Sequence, residues 1–252
     1  MKRGTRFFLL GVLGIALTCV TLPCVRADQD PAFTKANQDF NDGHFQEAID
    51  GYQSLVRSGH WSANLFYDFG NAWFRVGDFG QAILDYERAL ALDPHHPEAE
   101  ANLRLARDEA RALELKRNAV ERYLSAGTPT QYSIAASIAF WLVLFGFASF
   151  FFMRRRSARL IALIILSLGV FGGAVFALYA SENGSHGRAL AIVTGKNVQA
   201  RLATADNASS VLALPPGSEI KVLSERGDWI YAALPNDLRG WIPAKSAERV
   251  RL

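Results

Sequence analysis

The stretch ANLFYDFGNAWFRVGDFGQAILDYERALALDPHH, residues 63–96, contains the strongest structural pattern in the chain. Its apolar residues recur at three- and four-residue steps in two segments, which is the spacing of amphipathic helices. Gly77-Asp78 separates the two segments and Pro94 follows the second, so each helix has a signal for its end. Gly70 and Ala82 lie where two antiparallel helices would approach most closely. The stretch therefore predicts a tightly packed helical hairpin.

The predicted hairpin resembles a tetratricopeptide (TPR) repeat, a two-helix unit of 34 residues. A second copy lies upstream in the same phase, since four marker positions recur 34 residues apart: Asn37, Gly43, Ala48 and Tyr52 precede Asn71, Gly77, Ala82 and Tyr86. We therefore predict two repeats over residues 28–96, the second at 63–96. Stacked repeats form a concave surface that binds other molecules, so the resemblance implies binding rather than catalysis.

In TPR proteins the concave surface comes mainly from the first helix of each repeat. The resemblance places eight residues there: Phe33, Asn37, Phe40, Asn64, Tyr67, Asn71, Phe74 and Arg75. Asn37 and Asn71 are equivalent, and a side-chain amide both donates to and accepts from an extended peptide. A clamp for a C-terminal carboxylate is disfavoured, because Phe33 replaces one of its lysines and Leu105 its third asparagine. Helix capping or packing is the alternative role for the two asparagines.

Residues 97–126 are predicted to form one long helix that caps the array. An apolar stripe begins at Ala99 and Leu103 and continues through Leu113 to Leu124, at three-, four- and seven-residue steps. At about 1.5 Å per residue, such a helix spans roughly 45 Å. We expect it to run from the repeats to the segment that follows.

Two uncharged segments predict a transmembrane hairpin. Residues 132–153 and 160–181 are each 22 residues long, and a bilayer core needs about 20 apolar residues in a helix. The loop at 154–159 contains four arginines: Arg154, Arg155, Arg156 and Arg159. The positive-inside rule places this loop in the cytoplasm. Two buried helices of a soluble core are the alternative, and the rest of the chain offers little to cover them.

Residues 1–27 have the organisation of a signal peptide. Met1-Lys2-Arg3 is basic, residues 7–22 are apolar, and Val25-Arg26-Ala27 supplies a cleavage site before Asp28. An uncleaved segment would be an additional anchor with its basic end in the cytoplasm. Either outcome places the repeats and the C-terminal region outside the cytoplasm, in a multi-pass protein of a bacterial inner membrane. Both cysteines lie in this segment, so the mature chain would have no disulfide, thiolate metal site or cysteine nucleophile.

Over residues 186–252 the pattern of apolar residues changes from helical spacing to the spacing of short strands. Strand candidates rich in β-branched and aromatic residues lie at 191–193, 218–223, 229–233 and 240–242. About five strands in this length predict a small barrel, and the order of Asn197-Val198, Pro216-Gly217, Gly227-Asp228-Trp229 and Gly240-Trp241 resembles a bacterial SH3 (SH3b) domain. Residues 199–202 depart from that family's usual turn. Trp229, Tyr231 and Trp241 are a candidate ligand surface, with packing as the alternative for the tryptophans.

Charge and motif content restrict the function classes. Residues 28–100 contain four Lys or Arg against 13 Asp or Glu, which disfavours nucleic acid as a partner. The acidic surface favours solubility and suits a basic partner segment. The chain shows no Ser-His-acid grouping, Gly-rich phosphate loop, paired-carboxylate cleft or zinc-ligand spacing. We therefore expect a protein that is not an enzyme and that uses neither a metal nor a cofactor.

The complete order of segments resembles the BatE-type TPR membrane proteins of bacterial aerotolerance (Bat) operons. The likeness is strongest over residues 64–107, which include Gly-Asn-Ala-Trp-Phe-Arg-Val-Gly-Asp and Asp-Tyr-Glu-Arg-Ala-Leu. Relatives in that family are encoded beside membrane proteins with von Willebrand A domains and a MoxR-type ATPase. The resemblance implies an envelope scaffold with such partners, possible peptidoglycan binding being the alternative role of the SH3b domain. The predicted fold is multidomain α and β: a TPR α-hairpin array, a transmembrane hairpin and a small SH3-like β-barrel.

Overall fold

The computed structural model describes residues 30–124, 127–152 and 158–251. Six helices come first: α1 (Pro31–Asn41), α2 (Phe45–Arg57), α3 (Ala63–Arg75), α4 (Phe79–Leu92), α5 (Pro97–Ala110) and α6 (Ala119–Leu124). Two long helices follow, α7 (Pro129–Phe152) and α8 (Ala158–Asn183). The strands are β1 (Leu190–Val193), β2 (Val198–Arg201), β3 (Ser210–Leu214), β4 (Glu219–Arg226), β5 (Trp229–Ala233), β6 (Arg239–Pro243) and β7 (Ala247–Arg249). The predicted signal peptide and Arg154, Arg155 and Arg156 lie outside the described residues.

Helices α1 to α4 form the two predicted hairpins, which confirms the helical repeat array. Side chains accept hydrogen bonds from exposed backbone N–H groups at the starts of three helices: Asp30 for α1, Ser62 for α3 and Asp78 for α4. Each hairpin turns at an equivalent glycine with positive φ, Gly43 at +83° and Gly77 at +79°, where an L side chain would be strained. The 34-residue repeat predicted from the sequence is therefore also present in the backbone conformation.

The long helix predicted over residues 97–126 is wrong. Helix α5 ends at Ala110, Arg111 adopts the left-handed conformation (φ 51°), and the chain is non-helical until α6 begins at Ala119. Tertiary hydrogen bonds hold this linker: Glu219 N donates to Leu113 O (2.8 Å), and Leu113 N donates to Ser218 Oγ (3.1 Å). Contacts with the strands thus outweigh the helical pattern of the apolar stripe.

Helices α7 and α8 are long and apolar enough to cross a membrane, with mean hydropathies of 2.2 and 2.6. They pack against each other. The ring centroids of Phe140 and Phe171 lie 6.2 Å apart, and a Cβ at Gly146 would lie 2.7 Å from the Ile164 side chain. Only 17% and 22% of their most apolar stretches are buried within the protein. A core helix of a soluble protein would be mostly buried, so this exposure is consistent with the predicted hairpin.

The strands form one antiparallel sheet in the order β3-β2-β6-β5-β4-β1-β7. Among the described residues, β3 and β7 are its edges and do not pair with each other, so closure of the sheet into the predicted small barrel is not shown. The sheet still coils around one core, since Leu214 of β3 and Ala247 of β7 belong to the same buried cluster as Ile220 and Ile242. The sequence pattern did not predict β2, β3 or β7 as strands.

The helical repeats and the sheet share a hydrophobic core. Ile83 and Tyr86 of α4 belong to one buried cluster with Ile192 of β1 and with Val250, which follows β7. The turn before β4 also fits against α4, because a Cβ at Gly217 would collide with Ile83. The second helix of the second repeat therefore docks on the sheet, and the first helices of both repeats remain on the other side.

Candidate functional site

The two asparagines predicted on the concave surface occupy equivalent positions. Tyr52 Oη donates to Asn37 Oδ1 (2.7 Å), and Tyr86 Oη donates to Asn71 Oδ1 (2.8 Å) in the next repeat. Asn102 of α5 donates through Nδ2 to Asn71 Oδ1 (2.9 Å). Each carbonyl of these amides therefore holds its own hairpin together, and Asn71 also joins α5 to the array.

The tyrosines that donate to these amides are buried donors. Burial raises the pKa of both Tyr52 and Tyr86 above its usual range. The negative charges of Asp68 and Asp39 raise the pKa of Tyr52 further. Both hydroxyls therefore remain protonated and able to donate.

Aromatic side chains beside the amides repeat in the same way. Phe40 packs edge-on against Phe45 (5.4 Å between ring centroids), and Phe74 packs edge-on against Phe79 (5.3 Å). The guanidinium of Arg75 lies over Phe45, 4.8 Å from the ring centroid, and so joins the two repeats. Phe40 and Phe74 are half-buried, while Arg75 is exposed.

The remaining predicted residues differ in their accessibility. Tyr67 is half-buried, and its ring centroid lies 6.2 Å from that of Tyr86 and 4.9 Å from that of His96. Asn64 is exposed. Phe33 is only 6% exposed and packs in the core of the first hairpin, so it does not belong to the surface on which it was predicted. We call the other seven residues the repeat face: Asn37, Phe40, Asn64, Tyr67, Asn71, Phe74 and Arg75. This face offers amide groups and half-buried aromatic rings to a ligand.

Trp229, Tyr231 and Trp241 lie on the outer face of the sheet. Tyr231 and Trp241 are cross-strand partners, with ring centroids 5.0 Å apart. All three side chains are half-buried, whereas the alternate residues Ile230 and Ile242 point into the core of the sheet. Tyr231 and Trp241 therefore form a ring pair, and Trp229 lies two residues along β5 on the same face of the sheet.

A charged cluster joins α5 and the linker to the sheet. Arg107 pairs with Glu87 (2.5 Å) and with Glu219, whose other oxygen accepts from Leu115 N (2.9 Å) and lies 3.3 Å from His186 Nε2. Burial alone would raise the pKa of Glu219, but hydrogen bonding to His186 and the charges of His186 and Arg107 lower it below its usual range. A fully buried carboxylate thus joins four parts of the fold.

A second charged cluster joins α4 to the last strand. Arg88 pairs with Asp85 (3.1 Å) and Glu248 (3.2 Å), and its Nη2 also donates to Arg249 O (3.3 Å). Burial raises the pKa of Asp85 to about 7, although Arg88 opposes the shift. Neither cluster was predicted from the sequence. The Asp85–Arg88 ion pair could have been predicted, because the two charged residues lie three positions apart among apolar residues of one predicted helix.

The ends of the apolar hairpin are tied to the folded domains. Glu121 of α6 accepts hydrogen bonds from Ser185 N (3.0 Å) and Ser185 Oγ (2.6 Å), just after α8. Glu182, at the end of α8, pairs with Arg251 (3.0 Å). Arg159 lies in the first turn of α8, at the opposite end of the hairpin. The repeats and the sheet therefore lie together at one end of α7 and α8.

The family model of the tetratricopeptide repeat matches residues 63–96, the residues that form α3 and α4. No curated protein matches the chain. The repeat match indicates a protein–protein interaction scaffold, because TPR hairpins bind other proteins through their stacked helices.

Proposed function

We propose that this protein is a non-enzymatic scaffold, anchored in a bacterial membrane by α7 and α8, whose repeat face binds a partner protein. The observation that carries the proposal is the position of the sheet. The sheet docks on α4 through Ile83 and Arg88. It therefore does not cover the first helices of the repeats, which can present Asn37 and Asn71 to a partner. An amide beside half-buried aromatic rings suits an extended peptide segment.

The proposed orientation places the repeats and the sheet outside the cytoplasm and the arginine-rich loop inside it. Since both folded domains lie at one end of the hairpin, they occupy the same side of the membrane. The acidic composition of residues 28–100 favours a basic segment in the partner. By its resemblance to BatE-type proteins, we propose von Willebrand A-domain membrane proteins as direct partners and a MoxR-type ATPase as an indirect one.

Crosslinking and pull-down of the membrane-embedded protein test the repeat face. We expect the double variant Asn37→Ala/Asn71→Ala to lose the partner that the wild-type protein captures. The matched control is Tyr52→Phe/Tyr86→Phe, which removes the tyrosine hydrogen bonds but keeps both amides and the bond from Asn102 to Asn71. We expect this control to keep the partner.

The control separates contact with the partner from stability of the hairpins. Loss of the partner in both double variants would show that the amides act only by holding the repeats together. Retention of the partner in both would move the binding surface away from the repeat face. Either result would overturn the proposed role of Asn37 and Asn71.

A cell-wall tether is the second candidate function, and the aromatic surface of the sheet favours it. Trp229, Tyr231 and Trp241 expose ring faces on adjacent strands, and such faces stack on sugars or peptides. The experiment is sedimentation of the full-length protein with purified peptidoglycan sacculi. The full chain is required because Ile192 and Val250 of the sheet region are buried against the repeats. Binding that is lost in Trp229→Ala/Trp241→Ala, with the fold retained, would support the tether; binding unchanged by it would exclude this surface.

A further inference from the structure

A cleft of about 480 Å³ lies between the second repeat, the end of the sheet and the base of the apolar hairpin. Its apolar wall comes from Trp61, Phe66, Leu92 and Val250. Pockets that hold small organic ligands have volumes of roughly 300–1,000 Å³, with mainly apolar walls and a few polar groups. The cleft therefore has the size and lining of a ligand site.

The cleft lies at the level where a membrane surface would be. Thr128, Pro129 and Thr130 line it at the start of α7, and Glu182 lines it at the end of α8. Pro129 is the first residue and Glu182 the last but one of the two helices that are able to span a bilayer. Residues at these positions lie in the headgroup region, so the cleft would open towards lipid.

The rim of the cleft carries large apolar side chains. Trp61, in the loop before α3, is 49% exposed, and Leu92, the last residue of α4, is 52% exposed. The indole N–H of Trp61 donates to Val56 O (3.0 Å), so its donor is satisfied within the protein. An aromatic ring of this kind is characteristic of membrane interfaces.

The polar groups of the cleft carry both charges. Arg88 and Arg251 line it together with Glu182, and Arg88 is paired with Asp85 and Glu248. Arg88 is 8% exposed, and its Nη groups already donate to protein acceptors. The side chain of Arg251 is 38% exposed, so its guanidinium is the accessible donor of the cleft. Because carboxylates balance the guanidinium groups, an anionic ligand gains little net attraction, whereas a zwitterion matches both signs.

We propose that this cleft binds one zwitterionic phospholipid from the leaflet that the repeats face. Its phosphate or ester oxygens accept from Arg251, its ammonium lies near Glu182, and an acyl chain contacts Trp61, Leu92 and Val250. This inference rests on the proposed function in one respect, since it requires α7 and α8 to span a membrane. The bound lipid fixes the orientation of the repeats relative to the membrane surface, and the scaffold presents its partner site in that orientation.

Native mass spectrometry of the full-length protein in detergent tests the site, with palmitoyl-oleoyl-phosphatidylethanolamine as the probe. Ala91 is exposed and lines the cleft, so Ala91→Trp fills it. We expect one lipid to remain on the wild-type protein and its affinity to fall about tenfold or more in Ala91→Trp. Ala101→Trp is the matched control, because Ala101 is an exposed helical alanine that does not line the cleft. Equal retention in all three proteins, or preference for palmitoyl-oleoyl-phosphatidylglycerol, would overturn the proposal.

Spin labels on the protein in vesicles of both lipids separate failure of this site from failure of the anchor. Single-cysteine variants, made in a background without Cys19 and Cys24, place labels at Leu92 on the rim, Phe145 in α7 and Leu105 on α5. We expect oxygen to relax the label at Phe145 and a water-soluble nickel complex to relax the label at Leu105. The label at Leu92 should have less access to nickel and more access to oxygen than the label at Leu105. Equal nickel access at Leu92 and Leu105, with oxygen access at Phe145, would reject the lipid site alone. Nickel access at Phe145 would reject the membrane-spanning hairpin and the lipid site with it.

Discussion

Asp85 is a buried carboxyl whose protonation affects the stability of the repeats. Burial raises its pKa to about 7, well above the usual range of an aspartate carboxyl. The folded state therefore binds a proton in the range of pH 4 to 7 that the unfolded state releases. As the pH rises through this range, the folded protein must ionise a buried carboxyl, and its stability decreases.

We predict that Asp85→Asn removes this pH dependence. One pKa unit corresponds to about 1.4 kcal/mol, so the wild-type protein should lose at most about 4 kcal/mol of unfolding free energy between pH 4 and pH 8 through this group. The pKa of about 7 already includes the opposing effect of Arg88. Denaturant unfolding of the protein in detergent at a series of pH values measures it. The control Asp50→Asn, at an exposed carboxyl of α2, should keep the wild-type slope; an unchanged slope in Asp85→Asn would contradict the prediction.

The sequence predicted individual residues best where the repeat phase specified them. Asn37 and Asn71 were predicted as equivalent positions, and the structure gives them equivalent tyrosine donors. The donors themselves were not predicted, because a 34-residue period shows which residues correspond but not which ones touch. Asn102 was missed for the same reason: it lies three residues before Leu105, the position that corresponds to Asn71.

Helix α5 shows how a single element ends against its own pattern. Arg111 follows its last residue in the left-handed conformation, at φ 51° and ψ 41°. This conformation costs a residue with a side chain roughly 1–2 kcal/mol and suits glycine. The apolar stripe continues beyond it, so periodicity alone predicted a longer helix. The end is fixed by Leu113 and Leu115, whose backbone groups pair with the sheet.

We predict that Arg111→Gly stabilises the protein by about 1 kcal/mol, because glycine adopts a positive φ without steric cost. The same substitution inside α5, Arg104→Gly, should destabilise it by about 1 kcal/mol. Arg104 is exposed and pairs only loosely with Glu100 at 3.5 Å, so it is a matched control. Thermal unfolding in detergent distinguishes the two signs. Destabilisation by both variants would mean that the Arg111 side chain, rather than its backbone conformation, matters at this position.

Strands were predicted less completely than helices. The candidates at 229–233 and 240–242 correspond to β5 and β6, but β2, β3 and β7 were missed. Strand β3 alternates weakly, and β7 has only three residues, Ala247 to Arg249. Short edge strands depend on their pairing partners more than on their own composition, so their sequences carry little signal.

The arrangement of domains in the whole molecule depends on charges that are far apart in sequence. Glu219 joins the sheet to Arg107 of α5, to His186 and to the linker at Leu115. Its lowered pKa means that its contribution to stability is present at neutral pH and is lost as the pH falls through its pKa in the folded state. The sequence predicted the order of the domains but gave no indication of this docking, since no periodicity connects residues more than 100 positions apart.

We predict that Glu219→Gln loosens the docking between the repeats and the sheet. Removing one partner of a buried ion pair costs roughly 3–5 kcal/mol, because the remaining charge loses its counterion. Hydrogen exchange followed by mass spectrometry at pH 7 should show faster exchange in the linker, residues 112–118. Glu225→Gln provides the control, because Glu225 is an exposed carboxylate paired with Arg249 at 2.6 Å. Equal exchange in the linker of both variants and the wild type would exclude Glu219 as the docking residue.

The pairing of Arg88 with Glu248 has a consequence for biosynthesis. The two residues are 160 positions apart, and the apolar helices α7 and α8 lie between them. The ribosome therefore makes the repeats long before it makes the strand that covers Asp85, Ile83 and Arg88. A nascent chain exposes this surface until translation passes residue 250, and a chain interrupted earlier exposes it permanently. Chaperones and proteases in the cell can thus distinguish a complete chain from an incomplete one by the exposure of this surface on the repeats.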